Sequence, residues 1–218
     1  MELNGKKIAF LGDSITQGVG TSDIDHVFWN VIARQTHAQC FGYGISGTRI
    51  APQHKKMDDY VDVLDFGARV DTMIPDADVV VVFGGTNDYG HGDAPFGDLT
   101  DTDPATFCGA MHTLLKKLYE RYPAAEIVVM TPLHRLGETD HTVNERGVRR
   151  TTDLEGYVNA MTRICQDFST PVLDLFRVSG MQPAIPAIRE MYMPDGLHPS
   201  DAGNARIASR LIAFLKAL

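Results

Sequence analysis

Six consecutive residues, Asp78-Val79-Val80-Val81-Val82-Phe83, constrain the fold of this chain more than any other feature. A half-exposed strand alternates apolar and polar side chains, and four valines in a row break that alternation. β-Branched side chains favour extended backbone, and Gly84-Gly85 closes the run. The segment therefore reads as a strand buried on both faces. In a globular protein that means the interior of a parallel sheet with helices above and below it.

The rest of the chain fits that frame. Apolar runs at 7–11, 38–43, 126–131 and 171–176 predict four more strands. Between them lie segments with helical spacing. Val27/Val31 and Phe28/Ile32 are four apart, with Asp25 as the expected cap. A short helix is expected over 70–74. Residues 104–122 predict a long amphipathic helix capped by Asp103, with Pro104 in its first position. Residues 153–168 and 201–218 predict two more, while 134–152 is polar and rich in Gly, His and Arg and reads as a surface excursion. The stretch 52–65 carries no clear pattern. Strands alternating with helices argue for an α/β chain with a parallel sheet, and no linker or repeat divides it. A single domain over 1–218 is expected.

Composition narrows the function. The 20 basic residues against 28 acidic ones leave a net charge of −8. Binding to a nucleic-acid backbone or an anionic lipid surface rests on clustered Lys and Arg, so neither is expected as a partner. No apolar run approaches the roughly 20 residues of a membrane span. No apolar leader follows Lys6-Lys7, so a cytoplasmic protein without a stable membrane anchor is expected. Cys40, Cys108 and Cys165 are odd in number and widely spaced, and read as reduced core thiols in preference to a reactive cysteine.

In parallel sheets, functional groups gather at the carboxyl ends of the strands. Those ends read Gly12-Asp13-Ser14-Ile15, Gly44-Ile45-Ser46-Gly47-Thr48-Arg49, Gly84-Gly85-Thr86-Asn87-Asp88, Pro132-Leu133-His134-Arg135 and, further on, Pro194-Asp195-Gly196-Leu197-His198-Pro199. The first is glycine-rich but lacks the Lys-Ser/Thr of a P-loop, and Asp13 would repel a phosphate. The histidines lack zinc-ligand spacing, so no metal is expected. Acyl transfer, in contrast, needs a serine, a base, an orienting acid and oxyanion donors. Ser14 can supply the hydroxyl. Asp195 and His198, three apart, can put carboxylate and imidazole on one side of a turn. Gly47 offers an unhindered N–H and Asn87 a side-chain amide. Taken singly, each has a plain structural reading as a cap or turn residue.

Together these residues resemble the GDSL family of serine esterases and lipases, the SGNH hydrolases. Ser14 matches the nucleophile block, Gly47 the glycine block, Asn87 the asparagine block, and Asp195 with His198 the histidine block, all in family order. Ile15 stands where the family often has Leu, and Gly42 where it often has Asn. The resemblance implies a three-layer α/β/α sandwich with a five-stranded sheet in flavodoxin-like order 2-1-3-4-5. It also implies hydrolysis of a small-molecule ester without a cofactor: Ser14 as nucleophile, His198 as base, Asp195 as its orienting acid, and the oxyanion held by Ser14, Gly47 and Asn87. Gly44-Ile45-Ser46-Gly47-Thr48 lacks the last glycine of GxSxG, so Ser46 is only the second-ranked nucleophile. Asp13, Arg49, Tyr89, His134 and Met193 are expected to contact substrate. The arginines at 135, 146, 149 and 150 read as a solvated charged face that could greet an anion. A binding module without catalysis, a thioesterase and an acyltransferase are the alternatives on the same residues.

Overall fold

In the computed structural model, which describes residues 1–54, 64–144 and 146–218, the valine run is the middle strand of a five-stranded parallel sheet. In chain order, β1 (Lys7–Gly12) is followed by α1 (Ser14–Gln17), a 3-10 turn (Ile24–His26), α2 (Phe28–Thr36) and β2 (Gln39–Gly44). Then come α3 (Phe66–Arg69), a second 3-10 turn (Val70–Thr72), β3 (Val79–Phe83), α4 (Thr86–His91), α5 (Phe107–Arg121) and β4 (Glu126–Met130). The chain ends with α6 (Leu154–Asp167), β5 (Val172–Leu173), α7 (Leu175–Val178), α8 (Pro186–Tyr192) and α9 (Asp201–Ala217). The sheet order is β2-β1-β3-β4-β5, every neighbouring pair parallel, as the resemblance implied.

The valine run explains the layering. Alternate side chains leave opposite faces of a strand. Val80 and Val82 join Ala9, Leu11, Ile127 and Val129 in a core against α5 and α6, while Val79, Val81 and Phe83 join Ile8, Phe10, Val128 and Met130 in a core against α2 and α9. All five residues of β3 are buried. Burying a valine on either face contributes roughly 1.5–3 kcal/mol, so a polar residue anywhere in β3 would lose that and leave an unsatisfied group.

Local chemistry moved several boundaries. The long helix begins at Phe107, not Pro104, because Thr106 caps it through the Gly109 N–H, while Asp103 accepts from Ala105. Asp25 caps nothing: it lies inside the 3-10 turn, which Asp23 caps. The first N–H of α2 is taken instead by Oδ1 of Asn204, 176 residues away and fully buried. The helix expected at 70–74 lies earlier, capped by Asp65. The last strand pairs only over Val172–Leu173, because Asp174 turns to cap α7 through the Arg177 N–H. Of the patternless stretch 52–65, residues 55–63 lie outside the described residues.

Two glycines let α1 lie directly across the ends of β1 and β2. A Cβ on Gly44 would stand 2.1 Å from the Gln17 nitrogen, and one on Gly12 would stand 2.0 Å from Thr16 Oγ1. Backbone cannot yield there as a flexible side chain could. Gly44→Ala is expected to cost about 1–3 kcal/mol, seen as a fall of several degrees in Tm; an unchanged Tm would mean that α1 is not seated on β2.

Candidate active site

The first strand end delivers Ser14. Asp13 folds its carboxylate back to accept the Ile15 N–H at 3.0 Å, which starts α1 and holds Ser14 at the head of the turn, 4% exposed. The last loop delivers the histidine. Asp195 Oδ1 accepts the N–H groups of Leu197 (2.8 Å) and His198 (2.7 Å), a tight turn that Gly196 permits with φ +81°. The Leu136 N–H donates to Gly196 O, and Asn204 Nδ2 holds Pro199 O at 3.0 Å, so the turn is fastened on both sides.

The result is a linear array. Asp195 Oδ2 lies 2.7 Å from His198 Nδ1, and His198 Nε2 lies 3.0 Å from Ser14 Oγ, across 184 residues of sequence. An ionised carboxylate can only accept, so Nδ1 carries the proton and Nε2 of the neutral ring turns its lone pair to the hydroxyl. Burial raises the Asp195 carboxyl, but the bonds from the His198 ring and the backbone N–H groups outweigh it and hold the group below its ordinary value. It stays an anion beside the imidazole.

The ends of β2 and β3 supply donors. Gly47 sits in a turn with φ +78°. Neither its N–H nor that of Ser14 has a backbone or side-chain acceptor among the described residues. Asn87, in the first turn of α4 and 4% exposed, gives Nδ2 to Thr48 O at 3.0 Å, so the third block is tied to the second. Ser46 takes a different place: its N–H donates to Gln17 Oε1, and His198 faces Ser14.

Two groups lie below this surface, of which Arg69 carries no motif signal and Asp88 ends the asparagine block. Arg69, 3% exposed, gives its guanidinium to Leu64 O, Tyr43 O, Gly12 O and Thr48 Oγ1, clasping the ends of β1 and β2 to the Gly47 loop. Burial lowers it to about 10. Asp88 accepts the N–H groups of Ile50 and Ala51. Burial raises both Asp88 and Asp13 to about 6. The one sequence trace of Arg69 is a lone charge within Phe66-Gly67-Ala68-Arg69-Val70.

The residues expected to contact substrate are placed as follows. Met193 is fully buried in the core beneath α9. Asp13 is spent on its own cap and is 1% exposed. Arg49 is 5% exposed and donates to His91 Nδ1. Tyr89 buries its ring beneath the Arg150 guanidinium, at 4.9 Å, and its hydroxyl donates to Gly137 O. His134 pairs with Glu138 at 2.9 Å and packs on Phe176. Asp13, Arg49 and Tyr89 are buried and put polar atoms into internal hydrogen bonds, whereas His134 is partly exposed and bonds Glu138 through Nδ1. The arginine cluster is likewise not a solvated face. Arg150 bonds Tyr89 O, Gly90 O and Asp140, Arg146 lies buried beside Asp93, and of these four Arg149 alone is exposed. Gly42 has a physical reason too: a Cβ there would meet the Trp29 ring at 2.5 Å.

Burial raises the thiols, Cys108 to about 11 and Cys40 and Cys165 to about 12, which keeps them protonated and unreactive. Among the described residues no group of three His, Cys, Asp or Glu could hold a metal, and no helix is long and apolar enough to cross a membrane.

Against known proteins, residues 10–206 match the model of the GDSL-like lipase/acylhydrolase family. One solved structure is 36% identical over 100% of this chain and 99% of its own, with a TM-score of 0.85. A protein from Lactobacillus plantarum is 32% identical over 98% of both chains, TM-score 0.81. The acetyl xylan esterase AlAXEase is 23% identical over 95% of this chain and 98% of its own, TM-score 0.66. No curated protein matches.

The raised Asp13 carboxyl makes stability depend on pH. Between about pH 4 and 6 the native state keeps a proton that the unfolded chain has released, so stability falls as pH rises through that window. The loss is on the order of 2–3 kcal/mol, complete above the folded value. Asp13→Asn keeps one acceptor for Ile15 and removes the titration. Its stability relative to wild type, by urea unfolding, should climb from pH 4 to about 6.5 and then level off; a flat difference would place the Asp13 pKa at its ordinary value.

Proposed function

This chain belongs to the GDSL-like lipase/acylhydrolase family, and from that premise we propose that it is a serine esterase cleaving small, water-soluble acyl esters. The observation that carries the reading is the 3.0 Å approach of His198 Nε2 to Ser14 Oγ, with Asp195 at 2.7 Å behind it. A serine hydroxyl is a weak nucleophile until a neighbouring base accepts its proton, and this arrangement puts a base of the correct tautomer in hydrogen-bond reach.

The chemistry runs in two halves. Ser14 Oγ attacks the ester carbonyl while its proton passes to His198 Nε2. The imidazolium that forms lies against the Asp195 carboxylate. The carbonyl oxygen, now negative, takes hydrogen bonds from the Ser14 and Gly47 N–H groups and from Asn87 Nδ2. Collapse expels the alcohol, which receives the proton from His198 and leaves an acyl-Ser14. Water, deprotonated by the same nitrogen, attacks that acyl group, and the acid departs with Ser14 restored. Removing one oxyanion donor typically costs about 10²–10³ in turnover.

Acetyl esters of carbohydrates are the first substrates to try, since a neighbour of the same fold is an acetyl xylan esterase. Hydrolysis of p-nitrophenyl acetate is expected in the wild type and absent in Ser14→Ala, with Asn87→Ala reduced by about 10²–10³. A fluorophosphonate should label the wild-type protein and spare Ser14→Ala. Wild-type turnover by the serine variant would reject the assignment. A panel of acyl lengths should then favour acetyl over long-chain esters; preference for long chains would argue for lipid substrates instead.

A further inference from the structure

One member of α4 has no part in that mechanism. His91 lies one helical turn beyond Asn87, so both side chains sit on one face. Its ring bridges two polar groups: Arg49 Nη2 stands 2.6 Å from Nδ1, and Asn87 Oδ1 stands 3.1 Å from Nε2.

Donor chemistry reads this chain of bonds in one direction only. A guanidinium has five N–H donors and no acceptor, so His91 Nδ1 must accept. The neutral ring then carries its proton on Nε2, and Nε2 must donate. Its partner on Asn87 is therefore the carbonyl oxygen, not the amide nitrogen. The other end of the amide is accounted for independently, because Thr48 O can only accept and Nδ2 faces it at 3.0 Å. Both ends of the amide agree. Two bonds hold Asn87 with its oxygen toward His91 and its NH₂ toward the Gly47-Thr48 turn, leaving the second N–H of that group to serve a ligand.

We propose that His91 is a positioning residue: in its Nε2-protonated form, held by Arg49, it fixes which end of the Asn87 amide faces the reacting carbonyl oxygen. The role rests on the esterase reading above and adds a part to it. An asparagine amide is nearly symmetric in shape, and a 180° flip puts a carbonyl oxygen where a donor is needed. Such a flip turns stabilisation of the oxyanion into repulsion. The Arg49–His91 pair holds the amide against the flip without touching substrate.

Three substitutions separate a donor effect from a packing effect. In His91→Gln the amide can give N–H to Asn87 and present its oxygen to Arg49, reproducing both bonds. His91→Glu has the same length but no donor at neutral pH, so Asn87 would turn its NH₂ toward the carboxylate. His91→Phe keeps the ring and removes both bonds. On p-nitrophenyl acetate, His91→Gln is expected within about 3-fold of wild-type kcat. The Glu and Phe variants should lose at least about 10-fold, up to the roughly 10²–10³ of a lost donor, with KM little changed. In an Asn87→Ala background, His91→Phe should cost nothing further, since positioning an absent amide has no value. Equal losses in Gln and Glu, or full additivity with Asn87→Ala, would overturn the proposal. If the Phe variant does not fold, the Gln and Glu pair still decides.

A nitrogen-15 spectrum of the imidazoles gives a readout independent of turnover. At neutral pH, His91 should show a protonated Nε2 and a bare Nδ1. The opposite tautomer would sink the positioning role whatever the chain hydrolyses, whereas undiminished turnover by Ser14→Ala would sink the esterase reading and leave the tautomer as found.

Discussion

A sheet buried on both faces is what the rest of this molecule hangs from. Because all five strands run parallel, their carboxyl ends open on one edge, and the loops that follow them meet there. Ser14, Gly47 and Asn87 follow three strands that are neighbours in the sheet. The fifth strand is too short to do the same, and the chain travels through α7 and α8 before Asp195 and His198 return to the edge. The helices above and below keep the strands from moving, so loops that are far apart in the chain are held to within hydrogen-bond distance.

That edge is held by buried charge. Arg69 donates to carbonyls at the ends of β1 and β2, where the ladder runs out. Asp88 does the converse for the backbone N–H groups of Ile50 and Ala51, and Asp13 for Ile15. Removing such groups from water is costly, as the raised carboxyls show. The return is rigidity: strand ends that would otherwise fray are locked, and the loops that carry Ser14 and Gly47 are locked with them. This is the opposite of Asp195, half exposed, whose hydrogen bonds keep it ionised.

Much of this is legible in the order of residues, and for a reason. Strand runs, helix periods and short motif blocks are local patterns, each produced by physics acting over a few residues. The unbroken valines of β3 needed burial on both faces, and Ser14, Gly47, Asn87, Asp195 and His198 stood out through short blocks that resemble the GDSL family. The boundaries that moved did so through single hydrogen bonds between side chain and backbone: Thr106 in place of Asp103, Asn204 reaching across to start α2, Asp174 ending the last strand early. The orientation of the expected substrate contacts is a different matter. Loop position placed Met193, Asp13 and Arg49 near the edge, but nothing in the order of residues says whether a side chain turns outward or in.

The amino-acid order by itself determined the α/β layering and which side chains could carry acyl chemistry, because strand burial and loop composition are written in neighbouring residues. Only the tertiary structure decided which nitrogen of His198 faces Ser14, that Arg69 underpins the site and that His91 holds the Asn87 amide. Those are questions of distance and direction between groups as far as 184 residues apart or one turn apart on a helix, and they are answered by packing, which no local pattern encodes.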